Sequence, residues 1–353
     1  MAAVSDVSGL VNRRWLLAER PVGRIEAEHF WRVDEAVPEP AEGQFLVRVT
    51  HLSFAPGTRG WITNDTYLPV VPIGGVVRAM GVGQVVASRH PDYNVGQMVQ
   101  GGLGWQDYAL TDGQTDLLPV TPIPPGATPE QALGVFGLTG MTAYFGLMDV
   151  GRPQGGETVL VSAAAGATGS VVVQLAKAAG CRVIGIAGGP EKCAWVTEVA
   201  GADACVDYKA RDFWSELQRL SPEGVDLVFE NVGGGIMECA IMRLADRGRV
   251  VLCGMISIYD NDPHAQRGVR FLSNLTFRRA RMEGFLVLDY EPRFPEAISA
   301  LGDLIAQGRL RTACDVQEGF ENIPATLCRL FAGRNLGKQL LKLADPPLPI
   351  VQK

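Results

Sequence analysis

No cysteine precedes Cys181, and none of the seven in the chain (Cys181, Cys193, Cys205, Cys239, Cys253, Cys314 and Cys328) stands in a CxxC pair. A disulfide framework is therefore not expected, and buried free thiols are. Histidine is scarcer still. The first half holds His29, His51 and His90, with no cysteine and no His-Glu pair at ligand spacing. A zinc-polarised alcohol site needs about three such ligands around an open position, so no metal is expected. There is no GxSxG elbow and no defensible Cys–His arrangement for nucleophilic catalysis. A basic excess is missing as well: the net charge of −6 and pI near 5.4 argue against nucleic acid or an anionic membrane as partner. No apolar run approaches a membrane span, and residues 1–10 lack the charged start and apolar core of a signal peptide. A small-molecule ligand and a cytoplasmic location are the expectations.

At 353 residues, 47% hydrophobic and 20% charged, the chain suits two folded domains. From Trp15 to about Pro125 it shows short alternating runs, such as Gln44–Thr50 and Gly83–Ala87, broken by Gly and Pro, which predict a β-rich domain. The proline-rich run Pro119–Gly126 reads as a boundary. Strand-like and helix-like runs then alternate, with Thr158–Ser162, Arg182–Ala187, Val225–Glu230, Arg249–Gly254 and Gly284–Leu288 as candidate strands of a parallel α/β sheet. Ile323-Pro324 predicts a helix start, and Lys338–Leu343 a last strand returning to the first domain. The expected division is 1–130 with 315–353 against 131–314.

Between the first two runs of the second domain lies Ser162-Ala-Ala-Ala-Gly-Ala-Thr-Gly-Ser170. Strand, glycine turn and helix in that order make a place for a pyrophosphate: Gly166 lets the backbone approach a ligand, Gly169 lets the helix pack closely, and the N–H groups at the helix start attract negative charge. Ala164 stands where the commoner GxGxxG pattern has its first glycine. Sites for the unphosphorylated dinucleotide carry an acid about 20 residues further on. Here the second strand runs into Gly188-Gly-Pro-Glu-Lys192, so a 2′-phosphate meets no fixed carboxylate, Lys192 can reach it, and Tyr208 offers a hydroxyl. The cofactor read from these residues is NADPH. Hydride transfer without a metal favours a carbon made electrophilic by a conjugated carbonyl, whose oxygen then needs a hydrogen-bond donor such as tyrosine.

Ordered motifs along nearly the whole chain carry a resemblance. They include Asn12-Arg-Arg-Trp15, Pro72-Ile-Gly-Gly75, His90-Pro-Asp-Tyr93, Gly104-Trp-Gln-Asp-Tyr108, Glu230-Asn-Val-Gly-Gly234, Cys253-Gly-Met-Ile-Ser257, Arg281-Met-Glu-Gly-Phe285, Glu318-Gly-Phe-Glu-Asn322 and Arg334-Asn-Leu-Gly-Lys338. With them the chain resembles the zinc-independent medium-chain dehydrogenase/reductases, in the branch of prostaglandin reductase, 2-alkenal double-bond reductases and curcumin reductase. The resemblance implies an α/β fold in which a Rossmann doubly wound parallel sheet joins a β-rich GroES-like catalytic domain. It also implies NADPH as cofactor, reduction of α,β-unsaturated aldehydes and ketones, and a homodimer. An NADP-dependent alcohol or quinone oxidoreductase on the same fold stays open, as does an NADPH-binding protein without catalysis.

Residue by residue, the resemblance implies that Gly166, Ala167, Thr168 and Gly169 line the pyrophosphate and that Lys192 and Tyr208 contact the 2′-phosphate. Asn231 and the turn of Cys253, Gly254, Met255, Ile256, Ser257 and Tyr259 would contact the cofactor; Phe285, Leu286 and Val287 would flank the nicotinamide, and Asn335 would reach it. Tyr259 is the favoured enolate donor and Tyr67 the second candidate. Two departures bear on substrate choice: Phe277 replaces a substrate-side tyrosine, and Phe54-Ala-Pro-Gly-Thr-Arg59 replaces the more usual Asp-Pro-Tyr-Met-Arg.

Overall fold

The computed structural model describes residues 9–261 and 268–351, and sheets of opposite character organise them. The first strands are β1 (Val11–Leu17), β2 (Phe30–Ala36), β3 (Phe45–Ser53), β4 (Met80–Ser88), β5 (Met98–Gly102), β6 (Tyr108–Thr111) and β7 (Thr121–Pro122). Next come β8 (Thr158–Val161), β9 (Arg182–Ala187), β10 (Ala204–Asp207), β11 (Val225–Glu230), β12 (Leu244–Leu252) and β13 (Arg281–Gly284). The last are β14 (Cys314–Glu318) and β15 (Lys338–Lys342). Two units divide the chain: Met1–Leu133 with Asp315–Asn335 and Gln339–Lys353, and Gly134–Cys314 with Leu336–Lys338.

The first unit is built on β3, whose nine residues are buried except Arg48. Strand β3 pairs antiparallel with β4, β6 and β15, and the sheet order is β14-β15-β3-β4-β5-β7. Gly83 marks how closely β3 and β4 approach, since a Cβ there would lie 2.4 Å from the Arg48 carbonyl oxygen. The proline-rich run 119–126 is part of this sheet, because β7 pairs with β5.

The second unit is a six-stranded sheet of order β10-β9-β8-β11-β12-β13, parallel throughout. Its order reverses between β8 and β11, the switch point at which such sheets bind ligands beyond their carboxyl ends. Sequence explains the centre. Val159, Leu160, Val161, Leu227, Val228 and Phe229 are fully buried, Val159, Val161, Leu227 and Phe229 in one core and Leu160 and Val228 in the other. A strand covered on both faces reads as an unbroken apolar run, which is why β8, β9 and β11 were legible.

Gly284–Leu288 is not a strand. The last strand is the more polar Arg281–Gly284, paired in register Arg249↔Arg281 to Leu252↔Gly284. At a sheet edge, pairing does not demand an apolar sequence, and the apolar residues that follow serve elsewhere: Phe285 and Val287 pack on the core cluster of Val161 and Phe229. Strand β12 starts earlier than expected, at Leu244, and β10 was not foreseen because four residues carry little periodicity.

Candidate functional site

The glycine turn caps the helix Ala167–Ala178 through Gly166, which is extended at φ −84° and ψ 176°. Ala163 takes the left-handed conformation at φ +48° and turns the chain, so its carbonyl accepts the Gly166 N–H at 2.8 Å. Gly169 has no room for a side chain: a Cβ would lie 2.3 Å from the Ala163 carbonyl oxygen. The helix start is thus pressed onto the turn, and its first N–H groups, Ala167 to Gly169, have no acceptor within the helix. Ala164 replaces glycine without strain because the neighbour on β9 is Gly185, whose missing Cβ would lie 2.9 Å from the Ala164 methyl. Gly337 was missed. Its N–H donates to the Ala165 carbonyl at 2.8 Å, and at φ +67° a Cβ would lie 2.1 Å from the Ala313 oxygen. The signal was present in Asn335-Leu-Gly-Lys338, where the glycine was not weighed apart from Asn335.

After β9, Gly188 and Gly189 lead into the helix Pro190–Glu198, with Lys192 in its first turn. The ring of Tyr208 lies against Gly188, where a Cβ would meet it at 2.7 Å. Lys192 and Tyr208 therefore flank one pair of glycines. An acid does follow β10, but Asp207 Oδ1 accepts the N–H groups of Gly189 (2.8 Å) and Lys209 (2.9 Å). It closes the turn, leaving it engaged with the main chain. Lys209 adds a cation that the sequence reading missed, its Nζ 5.8 Å from the Tyr208 ring centre.

Three turns converge beyond β8, β11 and β12. Asn231 donates its main-chain N–H to Ser162 Oγ and its side-chain Nδ2 to the Ser162 carbonyl, both at 2.7 Å. Cys253 and Gly254 donate to the Glu230 carbonyl, Ile256 to that of Asn231 and Ser257 to that of Val232. Gly233, at φ +77°, lets Met255 close on it, with the absent Cβ 2.9 Å from the Met255 Cβ. Tyr259 folds back so that its hydroxyl oxygen accepts the Met255 N–H at 3.0 Å, which leaves its own proton available for donation. Burial raises the phenol above its ordinary range, so it stays protonated at neutral pH. The Cys253 thiol is pushed up to about 12 by burial and then by Glu230, and packs against the core.

Phe285 closes over Gly146, where a Cβ would lie 2.4 Å from its ring; Val287 packs beside it, and Leu286 precedes the 3-10 turn Val287–Arg293. Phe277 is 70% exposed in the short helix Ser273–Phe277. Asn335 is buried. In the first unit, Tyr67 accepts the Trp61 indole N–H at 3.1 Å and is 49% exposed. Its hydroxyl lies 3.6 Å from where a Gly57 Cβ would stand, so Trp61 and Tyr67 occupy the space beside the position that departs from the family's tyrosine.

Each of the three histidines of the first half has local work. His29 joins a capping box with Glu26, His90 stacks edge-on against Phe45 and Tyr93, and His51 lies beside Thr50 with burial lowering its pKa. Among the described residues no three His, Cys, Asp or Glu side chains are grouped to hold a metal. All seven cysteines are free thiols; Cys181 is buried and the other six are half-buried.

Residues 13–120 match the family described as N-terminal domain of oxidoreductase, and residues 167–303 that described as zinc-binding dehydrogenase. Over 338 residues the chain is 39% identical to the NADPH-dependent curcumin reductase of Escherichia coli (strain K12), across 94% of this chain and 97% of that protein. The chain belongs to the zinc-independent medium-chain dehydrogenase/reductases. Another member of this medium-chain group, the NADP(+)-dependent 2-alkenal reductase of Nicotiana tabacum, is 35% identical over 87% of this chain and 89% of its own. The crystal structure of CurA in complex with NADPH from Vibrio vulnificus matches with a TM-score of 0.89 and 38% identity, covering 95% of this chain and all of that one. The family's parallel Rossmann sheet and its antiparallel β-rich unit are both present.

Proposed function

We infer that the protein is an NADPH-dependent reductase of the carbon–carbon double bond of α,β-unsaturated aldehydes or ketones. The observation that carries this is the similarity to the E. coli curcumin reductase along 94% of the chain. The second unit fits the cofactor: a Cβ-free cradle at Gly169, free N–H groups at the helix start, and cations Lys192 and Lys209 beside a turn whose acid is engaged by the main chain. We assign Gly134–Cys314 with Leu336–Lys338 as the cofactor domain and the remainder as the catalytic domain.

NADPH supplies the hydride when bound. Gly166, Ala167, Thr168 and Gly169 hold the pyrophosphate by main-chain N–H groups, and Lys192 and Tyr208 hold the 2′-phosphate. Asn231, the turn Cys253–Tyr259, Phe285, Leu286, Val287 and Asn335 orient the nicotinamide end. As the β-carbon of an enone is reduced, negative charge gathers on its carbonyl oxygen, and the Tyr259 hydroxyl donates to that oxygen. The Met255 N–H donates to the phenol oxygen and leaves its proton free to be given to the substrate oxygen. Tyr67 is a wall of the substrate pocket. We also assign a homodimer located in the cytoplasm; the open edge of β13 and exposed Phe271, Leu272 and Phe277 support self-association.

The deciding experiment follows NADPH consumption with 2-alkenals, enones, quinones and simple aldehydes in parallel, and repeats the series with NADH. Faster turnover of the activated alkenes with NADPH is expected. Turnover of quinones or simple aldehydes with none of the alkenes would overturn the reading.

A further inference from the structure

Strand β11 ends on a buried carboxyl group that meets no cation among the described residues. Glu230 is fully buried; its Oε1 accepts the N–H groups of Val232 and Gly233, each at 2.7 Å, and its Oε2 has no hydrogen-bond partner. Its main-chain carbonyl accepts the N–H groups of Cys253 at 2.9 Å and Gly254 at 3.1 Å. The Ser162 hydroxyl, at the root of the glycine turn, lies close enough to favour the charged carboxyl slightly, without normal hydrogen-bond geometry to Oε2. One residue thus ties the turn after β11 to the turn after β12 and borders the turn after β8.

We propose that Glu230 is a positioning residue for the dinucleotide site and that its carboxyl group does this in the protonated form. The proposal rests on the cofactor reading given above. A lone carboxylate in an apolar interior neutralises rather than remain charged. Protonation also removes the charge from the orphan atom, since Oε2 has no donor to stabilise it as a carboxylate oxygen. The groups facing it are the Val232 and Gly233 amides of its own loop, Ser162 from the end of β8, and the Cys253 thiol after β12, which is itself uncharged. Burial raises Glu230 to about 7, so its protonation changes in the physiological range. Ionisation sets an unpaired negative charge beneath turns that face a polyanionic ligand, and NADPH affinity falls as pH rises.

The test is the dissociation constant of NADPH for the full-length protein, on both sides of pH about 7, for the natural chain, Glu230→Gln and Glu230→Asp. The 2′-phosphate titrates near the same range, as does the Lys338 ammonium, lowered to about 8 by burial. Both are common to all three proteins and cancel in the comparison. For the natural chain the constant is expected to rise roughly tenfold more than for Glu230→Gln across that range, the size of one unscreened charge at moderate distance. Glu230→Asp keeps a titrating group but falls a methylene short of the Val232 and Gly233 amides, so it should bind more weakly throughout and still respond to pH. Parallel profiles for the natural chain and Glu230→Gln overturn the proposal. If the variants do not fold, carbon NMR of the glutamate-labelled natural chain decides: a Glu230 carboxyl whose titration moves to higher pH when NADPH binds supports the proposal, and one whose titration is unchanged overturns it. A natural chain that binds no NADPH at any pH refutes the cofactor reading instead.

Discussion

Replacing Gly169 by alanine tests whether the helix start is as tightly pressed on the glycine turn as its geometry implies. The added methyl would lie 2.3 Å from the Ala163 carbonyl oxygen, 2.9 Å from the Ala163 carbonyl carbon and 3.0 Å from the Ala164 Cα. All three are main-chain atoms, so no rotamer change relieves the contact, and the helix must move by about 1 Å to restore ordinary separation. Overpacking of this kind costs about 1–3 kcal/mol, against a gain of about 1 kcal/mol for alanine over glycine in a helix. A net loss of up to about 2 kcal/mol is expected. The larger effect falls on the ligand: a 1 Å shift takes N–H groups out of hydrogen-bond range, and one charge-assisted bond lost weakens binding roughly 10- to 100-fold.

Gly235 is the control. It sits in the helix Gly234–Met242 with nothing within 4 Å of its absent Cβ, so Gly235→Ala should stabilise by up to about 1 kcal/mol and leave NADPH affinity unchanged. Because the chain has two units, a single unfolding free energy is ill-defined. Hydrogen exchange of peptides covering 158–178 for Gly169→Ala and 225–242 for Gly235→Ala, with NADPH titration, reads the effects locally. Unchanged exchange and unchanged affinity in Gly169→Ala would refute the close-packing argument.

Other expectations follow from the same geometry. Tyr259→Phe should lower turnover of an enone roughly 100-fold with NADPH affinity changed less; it also strips the Met255 N–H of its acceptor, at about 1–3 kcal/mol, so turnover and melting temperature should both fall. Full turnover would remove Tyr259 from the mechanism. Lys192→Ala should raise the KM for NADPH roughly 10- to 100-fold and leave that for NADH alone, which steady-state kinetics with both cofactors would show. For Glu230, raised from 4.5 to about 7, stability from the group is fully present below about pH 4.5 and lost as pH rises through about 7. The local stability of Glu230→Gln relative to the natural chain should therefore improve by about 3 kcal/mol between those values, read by hydrogen exchange of peptides covering 225–242, and a difference that does not vary with pH would contradict the assignment.

Local chemistry was legible where a residue type has few uses. Gly166 and Gly169 announced a turn before a helix, and the apolar runs at β8, β9 and β11 announced a sheet buried on both faces, because composition and period arise within a few residues. The same logic failed at Gly284–Leu288, where hydrophobicity signalled core packing by Phe285 and Val287, and pairing went to the polar Arg281–Gly284. Lys192 was legible as a cation after a strand without an acid. That Asp207 would be engaged by the amides of Gly189 and Lys209 was not, since a side chain's direction depends on the turn it sits in.

By itself the sequence determined the alternation of elements, the place of the phosphate turn and the family, all of which rest on short-range patterns and their order. Tertiary structure alone decided which distant residues complete the turn. Gly337, more than 160 positions from Gly166, joins it through the Ala165 carbonyl; Gly185 makes room for Ala164. The Glu230 carboxyl is raised toward neutral pH because burial among the strands keeps water from it and no cation among the described residues offsets that. Desolvation and close approach depend on what lies across the sheet, and a linear chain does not display that distance.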